Sequence, residues 1–344
     1  MRPAPPLQGA GRRARSNRYV APVVLPHAIL IAGPTASGKS ALALALAERL
    51  GGIVINADSM QVYRELAILT ARPSAAELAR APHVLYGHVP AAEAYSVGRW
   101  LADMAPALAA AKASGLVPIV TGGTGLYFEA LLSGLSPVPP IPLAIRAHWR
   151  AEAERLGPGK LHAELGSRDP AMAARLRPGD RQRVTRALEV LAATGRSLAD
   201  WQTRTGASLL SAEDTVRLAL TLPRDELHAR CNTRFDLMLA LGAVAEVAAL
   251  MALGLPVSQP AMRATGAREI MGHLRGELEL AAAIDAAKAA TRQYAKRQMT
   301  WIRGRMADWA PVSASDVEGV VAEMLTQWNG RLVGATGGRP ISPS

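Results

Sequence analysis

The chain has 344 residues, 49% of them apolar but only 4% aromatic, so it can bury a sizeable core built mainly from Ala, Leu and Val. That length suits two domains, or one domain with a large insertion. Lys and Arg exceed Asp and Glu by 11, a surplus that fits a polyanionic partner, nucleic acid or a diphosphate-bearing substrate, as well as a plain solvated surface. The lone cysteine, Cys231, excludes an internal disulfide and suits a reducing cytoplasm, and no apolar run approaches the ~20 residues that span a bilayer.

Residues 1–22 carry Arg2, Arg12, Arg13, Arg15 and Arg18, several prolines and no acid. They read as a disordered basic tail. A cleaved secretory signal does not fit, because the next apolar stretch is a strand that feeds a phosphate-loop motif. That motif is Gly33-Pro34-Thr35-Ala36-Ser37-Gly38-Lys39-Ser40, which matches G-x-x-x-x-G-K-[ST]. An amphipathic helix follows at 41–50, closed by Gly51-Gly52. The glycines let backbone N–H groups crowd around phosphate oxygens, and the helix presents its positive end there. Lys39 adds a mobile cation and the Ser40 hydroxyl can hold Mg2+. The expected ligand is a di- or triphosphate.

A second strand at 53–57 leads into Asp58-Ser59-Met60-Gln61, helical pieces follow at 75–81 and 97–114, and a third strand at 116–121 ends in Gly122-Gly123-Thr124-Gly125. Strands alternating with helices predict an α/β fold, a parallel sheet wrapped by helices, with all three loops at its carboxyl edge. The composition shifts at the proline-rich stretch 136–142, and residues 139–211 read as an all-helical insertion with a Gly-Pro-Gly break at 157–159. The core is therefore expected at 23–138 and 212–312. A strand at 216–222 re-enters the sheet, and Leu227, Cys231, Phe235, Met238, Val244, Val247 and Leu250 recur at helical spacing through 225–253. Gly254 and Pro256 stop that helix. A last helix carries Lys288, Arg292, Lys296, Arg297, Arg303 and Arg305, and 313–344 reads as a partly disordered C-terminal segment.

Asp58 follows an apolar strand beside the phosphate loop. A carboxylate there can take a proton from an attacking hydroxyl or amine, worth ~10²–10⁴-fold in rate. It could instead hold magnesium through water or cap the next segment. The 122–125 loop could present Thr124 to the same ligand or be a structural turn. Arg183 and Arg186 share a helix face with Gln182 beside them, either as forks for phosphates or as a solvated surface. Arg224, after Pro223, is placed for a diphosphate, though Asp225 or Glu226 could pair with it locally. The seven histidines show no metal-ligand spacing.

Together these motifs resemble the tRNA dimethylallyltransferase (tRNA isopentenyltransferase) family. The matching pieces are 33–40, Asn-Ala-Asp-Ser-Met-Gln-Val-Tyr-Arg at 56–64, Thr-Ala-Arg-Pro-Ser at 70–74, Gly-Gly-Thr-Gly-Leu-Tyr at 122–127, Arg-Ala-Leu-Glu-Val at 186–190 and Thr-Arg-Gln-Tyr-Ala-Lys-Arg-Gln-Met-Thr-Trp at 291–301. The resemblance implies a P-loop NTPase-like fold whose phosphate loop grips dimethylallyl diphosphate rather than a nucleoside triphosphate. The implied acceptor is the exocyclic amine of the adenosine 3′ of the tRNA anticodon. It implies Asp58 as general base with Lys39 and Thr124 in the catalytic set, and Asp58, Ser59, Met60, Gln61 and Thr124 against the target adenosine. Arg224 and magnesium on Ser40 would serve the diphosphate. Arg146 and the run Gln182, Arg183, Val184, Thr185 and Arg186 would contact the anticodon stem-loop. Separately, the expected state is a cytoplasmic monomer. The chain departs from the family pattern at Ala67-Ile68-Leu69, Arg72, Tyr86-Gly87-His88 and Ala267, all in supporting loops. The rival expectation is a small-molecule kinase that uses the same loop for ATP, and a second rival is an RNA-binding protein that has lost activity.

Overall fold

The computed structural model describes residues 28–204, 206–313 and 316–336, so the basic tail expected at 1–22 lies outside the described residues. The opening strand, β1 (Ala28–Ala32), runs directly into the phosphate loop and then α1 (Lys39–Leu50). β2 (Gly52–Asn56), α2 (Ala75–Arg80), the two-residue β3 (His83–Val84), α3 (Val97–Ala113), β4 (Val117–Gly122) and α4 (Gly125–Ser133) complete the first half of the core. After the insertion, β5 (Thr215–Thr221) returns and β6 (Ala310–Ser313) closes the far edge.

All pairings are parallel, in the order β3-β2-β4-β1-β5-β6. Alternate residues of β1 serve opposite faces, as strand pleating requires. Ala28, Leu30 and Ala32 pack with Trp100, Phe128 and Met104 on one side, while Ile29 and Ile31 pack against Leu42, Leu46 and Leu50 of α1 on the other. Both faces are thus covered, as parallel sheets demand.

The insertion is helical: α5 (Leu143–Arg168), α6 (Pro170–Ala173), α7 (Arg181–Thr194) and α8 (Leu198–Trp201). The break expected at 157–159 is a kink, with Gly157 non-helical inside α5. Trp149, Leu161, Leu165, Val184, Leu188 and Val190 form its own small core. The chain rejoins the main body earlier than the expected 211. Leu209 and Leu210 donate their N–H groups to the Leu131 carbonyl, and Leu210 is buried in the main core.

The expected helix at 225–253 is two helices, α9 (Arg224–Ala240) and α10 (Ala243–Ala252), bent by 67°. Gly242 has φ +101 at the joint, a left-handed backbone that costs glycine nothing and breaks an otherwise continuous apolar pattern. A 3₁₀ turn at Ala261–Arg263 leads to α11 (Ala267–Leu274) and the long α12 (Leu280–Arg305). Of the C-terminal segment expected to be partly disordered, the described part forms α13 (Val317–Thr336), in which Val321 and Met324 bury against α1. Residues 337–344 lie outside the described residues. Among the described residues no single helix is long and apolar enough to cross a membrane.

Candidate functional site

The phosphate loop, the 58–61 turn and the 122–125 loop leave the carboxyl ends of β1, β2 and β4, which are adjacent strands. Sheet order alone therefore brings them together. α9 and α12 then cross the same edge from much later in the chain and roof it. Between roof and edge lies a cleft of about 560 Å³, counted out to open solvent. Asp58 and Thr35 line it from the sheet, Arg234, Phe235 and Met238 from α9, Thr291 and Tyr294 from α12, and Leu69 and Thr70 from the loop after the Asp58 turn.

Each element of the Asp58 turn is fixed by hydrogen bonds. Asn56, buried at the end of β2, accepts from the Asp58 N–H at 2.8 Å and donates to the carbonyls of Asp58 and Leu85 at 3.0 Å each. Its own carbonyl is held by Trp100 Nε1 at 2.9 Å, and Trp100 stacks on Tyr127 with centroids 4.4 Å apart. Asp58 Oδ1 accepts from the Met60 N–H at 2.9 Å, which leaves Oδ2 as the free edge of the carboxylate toward the glycine loop. Thr124 Oγ1 takes the Ser59 N–H at 3.0 Å and reaches Ser59 Oγ at 3.3 Å. Thr124 and the Asp58 turn are therefore one unit. Gln61 is committed elsewhere: its Nε2 donates to the carbonyls of Thr70 and Ala71, both at 2.9 Å, and ties down the loop that carries Leu69 and Thr70. Glu246 of α10 holds that loop from the other side by accepting the N–H groups of Ala67, Ile68 and Leu69 at 2.7–2.8 Å.

The charges at and beside the cleft are buried in whole or in part. Lys39 is buried, donates to the Pro34 carbonyl at 3.2 Å, and has its pKa lowered to about 8 by burial first and by the positive charge of Arg234 second, partly offset by Asp58. Burial also lowers the Arg234 guanidinium below its ordinary value. Tyr86, Tyr127 and Tyr294 are pushed up by burial and then by the Asp58 carboxylate, so the phenols around that carboxylate stay neutral. Two cations held close in a poorly solvated place are costly when the protein is empty and need an anion. Arg230 stands nearer to solvent beside the phosphate loop: a Cβ on Gly38 would sit 4.0 Å from its Nη1, while its Nη2 pairs with Glu226 at 2.7 Å.

The expected site residues fall into three groups. Gly33, Pro34, Thr35, Ala36, Ser37, Gly38 and Lys39 form the loop, with Ser37 Oγ buried and unpaired and Ser40 exposed at the start of α1. Asp58, Ser59, Met60, Gln61 and Thr124 gather beside it. Arg224 does not join them. It stands exposed at the open first turn of α9 and does not line the cleft, whereas Arg234, on a later turn of the same helix that packs over Lys39, does.

On the insertion, α7 presents Gln182 and Arg183 to solvent and leaves Arg186 half-buried, but turns Val184 and Thr185 inward. Val184 is part of the insertion core and Thr185 Oγ1 donates to the Arg181 carbonyl at 2.8 Å. Of the run expected to meet a partner, these two therefore turn their side chains inward, while Gln182 and Arg183 face solvent. Arg146, near the start of α5, is partly buried, with Nε unpaired.

Arg234, Tyr294 and Gln298 were not singled out from the sequence. The signal available was the spacing of Thr291, Tyr294, Gln298 and Trp301, which places them along one face of a helix.

The family described as IPP transferase matches residues 61–305, and that described as isopentenyl transferase matches 26–86. The chain is 54% identical to the tRNA dimethylallyltransferase of Rhizobium etli (strain CIAT 652) over 280 residues, 81% of this chain and 94% of that protein. It is 55% identical to the same-named protein of Nitrobacter hamburgensis over 292 residues, 85% of this chain and 92% of the other. Among solved structures, it resembles the tRNA isopentenylpyrophosphate transferase of Bacillus halodurans with TM-score 0.64 and 31% identity, over 88% of this chain and 97% of that one. It also resembles a eukaryotic dimethylallyltransferase acting on tRNA, with TM-score 0.72 and 29% identity, over 89% of this chain and 77% of the other.

Proposed function

The chain belongs to the IPP transferase family and is a dimethylallyl-transferring, tRNA-modifying enzyme, and we propose that its donor is dimethylallyl diphosphate and its acceptor the exocyclic amine of the adenosine 3′ of the anticodon. The observation that carries this reading is a cleft at the phosphate loop in which Thr35, Arg234 and the Asp58 carboxylate share one space with an apolar wall. Lys39, Arg234 and the loop amides suit a diphosphate, and Leu69, Phe235 and Met238 suit a short branched hydrocarbon. Asp58 and Thr124 sit where an inserted purine would bring its amine. The kinase alternative with ATP is not favoured by the same comparisons.

In the proposed step, the adenosine nitrogen attacks the first carbon of the dimethylallyl group, the carbon–oxygen bond to the diphosphate breaks, and the electron pair leaves with diphosphate. An exocyclic amine is a poor base and becomes acidic only as its bond to carbon forms, so Asp58 accepts the proton late. Lys39 and Arg234 neutralise the charge growing on the leaving group in a place where water cannot screen it. This assigns to Arg234 the part expected of Arg224. The target base must leave its stack, at a cost of a few kcal/mol. The Ser40 hydroxyl, exposed at the start of α1 beside the loop, is a hard oxygen ligand of the kind that suits magnesium. Magnesium fits such a place because it keeps its waters and binds chiefly through substrate phosphates. When bound it would add positive charge to the diphosphate. Arg146, Gln182, Arg183 and Arg186 are proposed to meet tRNA through its phosphates.

The test is direct. The protein is incubated with dimethylallyl diphosphate and unmodified tRNA, the tRNA is digested to nucleosides, and each is weighed by mass spectrometry. One adenosine should gain the five-carbon group, and ribose-only or backbone-only adducts, or no gain with ATP consumed instead, would overturn the assignment.

A further inference from the structure

Where α12 crosses the carboxyl edge of the sheet, Gln298 projects between the phosphate loop and the glycine loop. Its Oε1 accepts the Thr35 N–H at 2.8 Å and its Nε2 donates to the Gly123 carbonyl at 2.9 Å. The residue is only 6% exposed, so water offers little replacement for either bond, and breaking one leaves a desolvated polar group behind. The fit is close: a Cβ on Gly123 would collide with Gln298 Nε2 and lie 3.5 Å from Asp58 Oδ2. Glycine at 123 is what admits the amide, and the same atom position borders the carboxylate. An amide has one accepting and one donating end. A carboxylate cannot donate, an ammonium cannot accept, and a hydrocarbon does neither.

The two bonded loops serve opposite halves of the cleft. Thr35 belongs to the phosphate loop. Gly123 precedes Thr124, whose hydroxyl locks the Asp58 turn through Ser59. We infer that Gln298 is a positioning residue that sets the distance between the donor's diphosphate and the acceptor's amine, acting through Thr35 and Gly123 without touching the reacting atoms. This rests on the assignment of the two loops to donor and acceptor made above. In-line attack needs the reacting atoms about 3–3.5 Å apart, and a misplacement of about 1 Å can cost ~10²-fold. One rigid amide across the two loops supplies that register.

The experiment compares the full chain with Gln298→Glu and Gln298→Leu, measuring kcat, the KM for dimethylallyl diphosphate, tRNA affinity and thermal melting, with kcat taken as a ratio to the unaltered enzyme at each pH. Both variants should lose ~10–100-fold in kcat and keep their tRNA affinity. The Glu variant, nearly isosteric, should recover relative to the unaltered enzyme as pH falls, because its protonated carboxyl again donates to Gly123 while still accepting from Thr35. The Leu variant should show no such recovery. A Glu variant that melts normally and keeps the unaltered enzyme's kcat, or loses kcat by a ratio independent of pH, overturns the inference, whether or not the Leu variant folds. An unaltered enzyme that transfers nothing from dimethylallyl diphosphate to tRNA would instead sink the parent reading.

Discussion

The cleft and the helical insertion both depend on basic side chains, and they use them in opposite ways. At the cleft, Arg234 lines the wall partly buried and Lys39 lies buried beside it, and burial pushes both below their ordinary pKa values. In the insertion, the arginines of α7 stand outside a small apolar core and pair with neighbouring acids: Arg183 with Asp180 at 3.4 Å, Arg186 with Glu189 at 3.4 Å, Arg181 with Glu154. A desolvated cation acts over one bond length on one ligand and is hardly screened by salt. A solvated one acts through its field, over about a Debye length, and is screened. Changes in the cleft should therefore alter chemistry at any ionic strength, and changes in the insertion should alter binding in a salt-dependent way.

The sharpest separation comes from Asp58. Replacing it with Ala should lower the transfer rate by ~10²–10⁴-fold and leave tRNA affinity and its salt dependence in place, as measured by single-turnover transfer and filter binding. Near-normal turnover would remove the general-base role and leave Asp58 as the organiser of the Met60 turn.

The cations of the cleft come next. Because Lys39 titrates at about 8 in the folded protein against 10.5 ordinarily, the unfolded chain binds the extra proton between those values. Stability of the donor-free enzyme should thus rise as pH climbs through that window. Below about 8 the buried charge is a burden on the order of 3 kcal/mol. Lys39→Met should accordingly raise the melting temperature at neutral pH while crippling donor binding, a gain that disappears above pH ~10.5 where the lysine is neutral in both states. A Lys39→Met variant less stable than its parent at pH 7 would show that the Pro34 hydrogen bond outweighs desolvation. Arg234→Met should raise the KM for the donor by ~10–100-fold, the range for a hydrogen bond to a charged group. Arg224→Ala, changing an exposed residue outside the cleft, should move it far less, and the reverse ranking would restore Arg224 to the diphosphate.

What could be read in the sequence follows the same division between local and distant. The phosphate loop, Asp58 and Thr124 were legible because each sits immediately after a strand, and parallel pairing of β1, β2 and β4 carries them to one edge without further information. Arg234, Tyr294 and Gln298 were not, because their place depends on α9 and α12 folding back over that edge from far along the chain. On α12 the polar stripe was hidden among Lys288, Arg292, Lys296, Arg297, Arg303 and Arg305. The edge strands β3 and β6 are too short for period-two alternation to register. α9 and α10 read as one helix because their apolar spacing runs on across Gly242, and only that glycine's positive φ separates them. In the run 182–186 a contiguous stretch of helix necessarily includes side chains that face its own core, here Val184 and Thr185.

The smallest expected effect tests the insertion. Arg183→Ala together with Arg186→Ala should reduce the slope of log affinity against log salt by about 0.9 for each lost phosphate contact, with kcat at saturating tRNA unchanged. Arg186 needs a control, because its removal takes one of the two arginines, with Arg150 at 3.7 Å, that face the buried carboxylate of Glu189. Loss of that pairing would loosen the insertion without any contact to RNA. Val184→Ala supplies the comparison. It removes buried carbon from the same helix and touches no charge, so it should lower the melting temperature and weaken tRNA binding equally at all salt concentrations. If the arginine pair and Val184→Ala give the same salt slope, the arginines are surface charges that hold the helix together; if only the arginine pair flattens it, they meet phosphate.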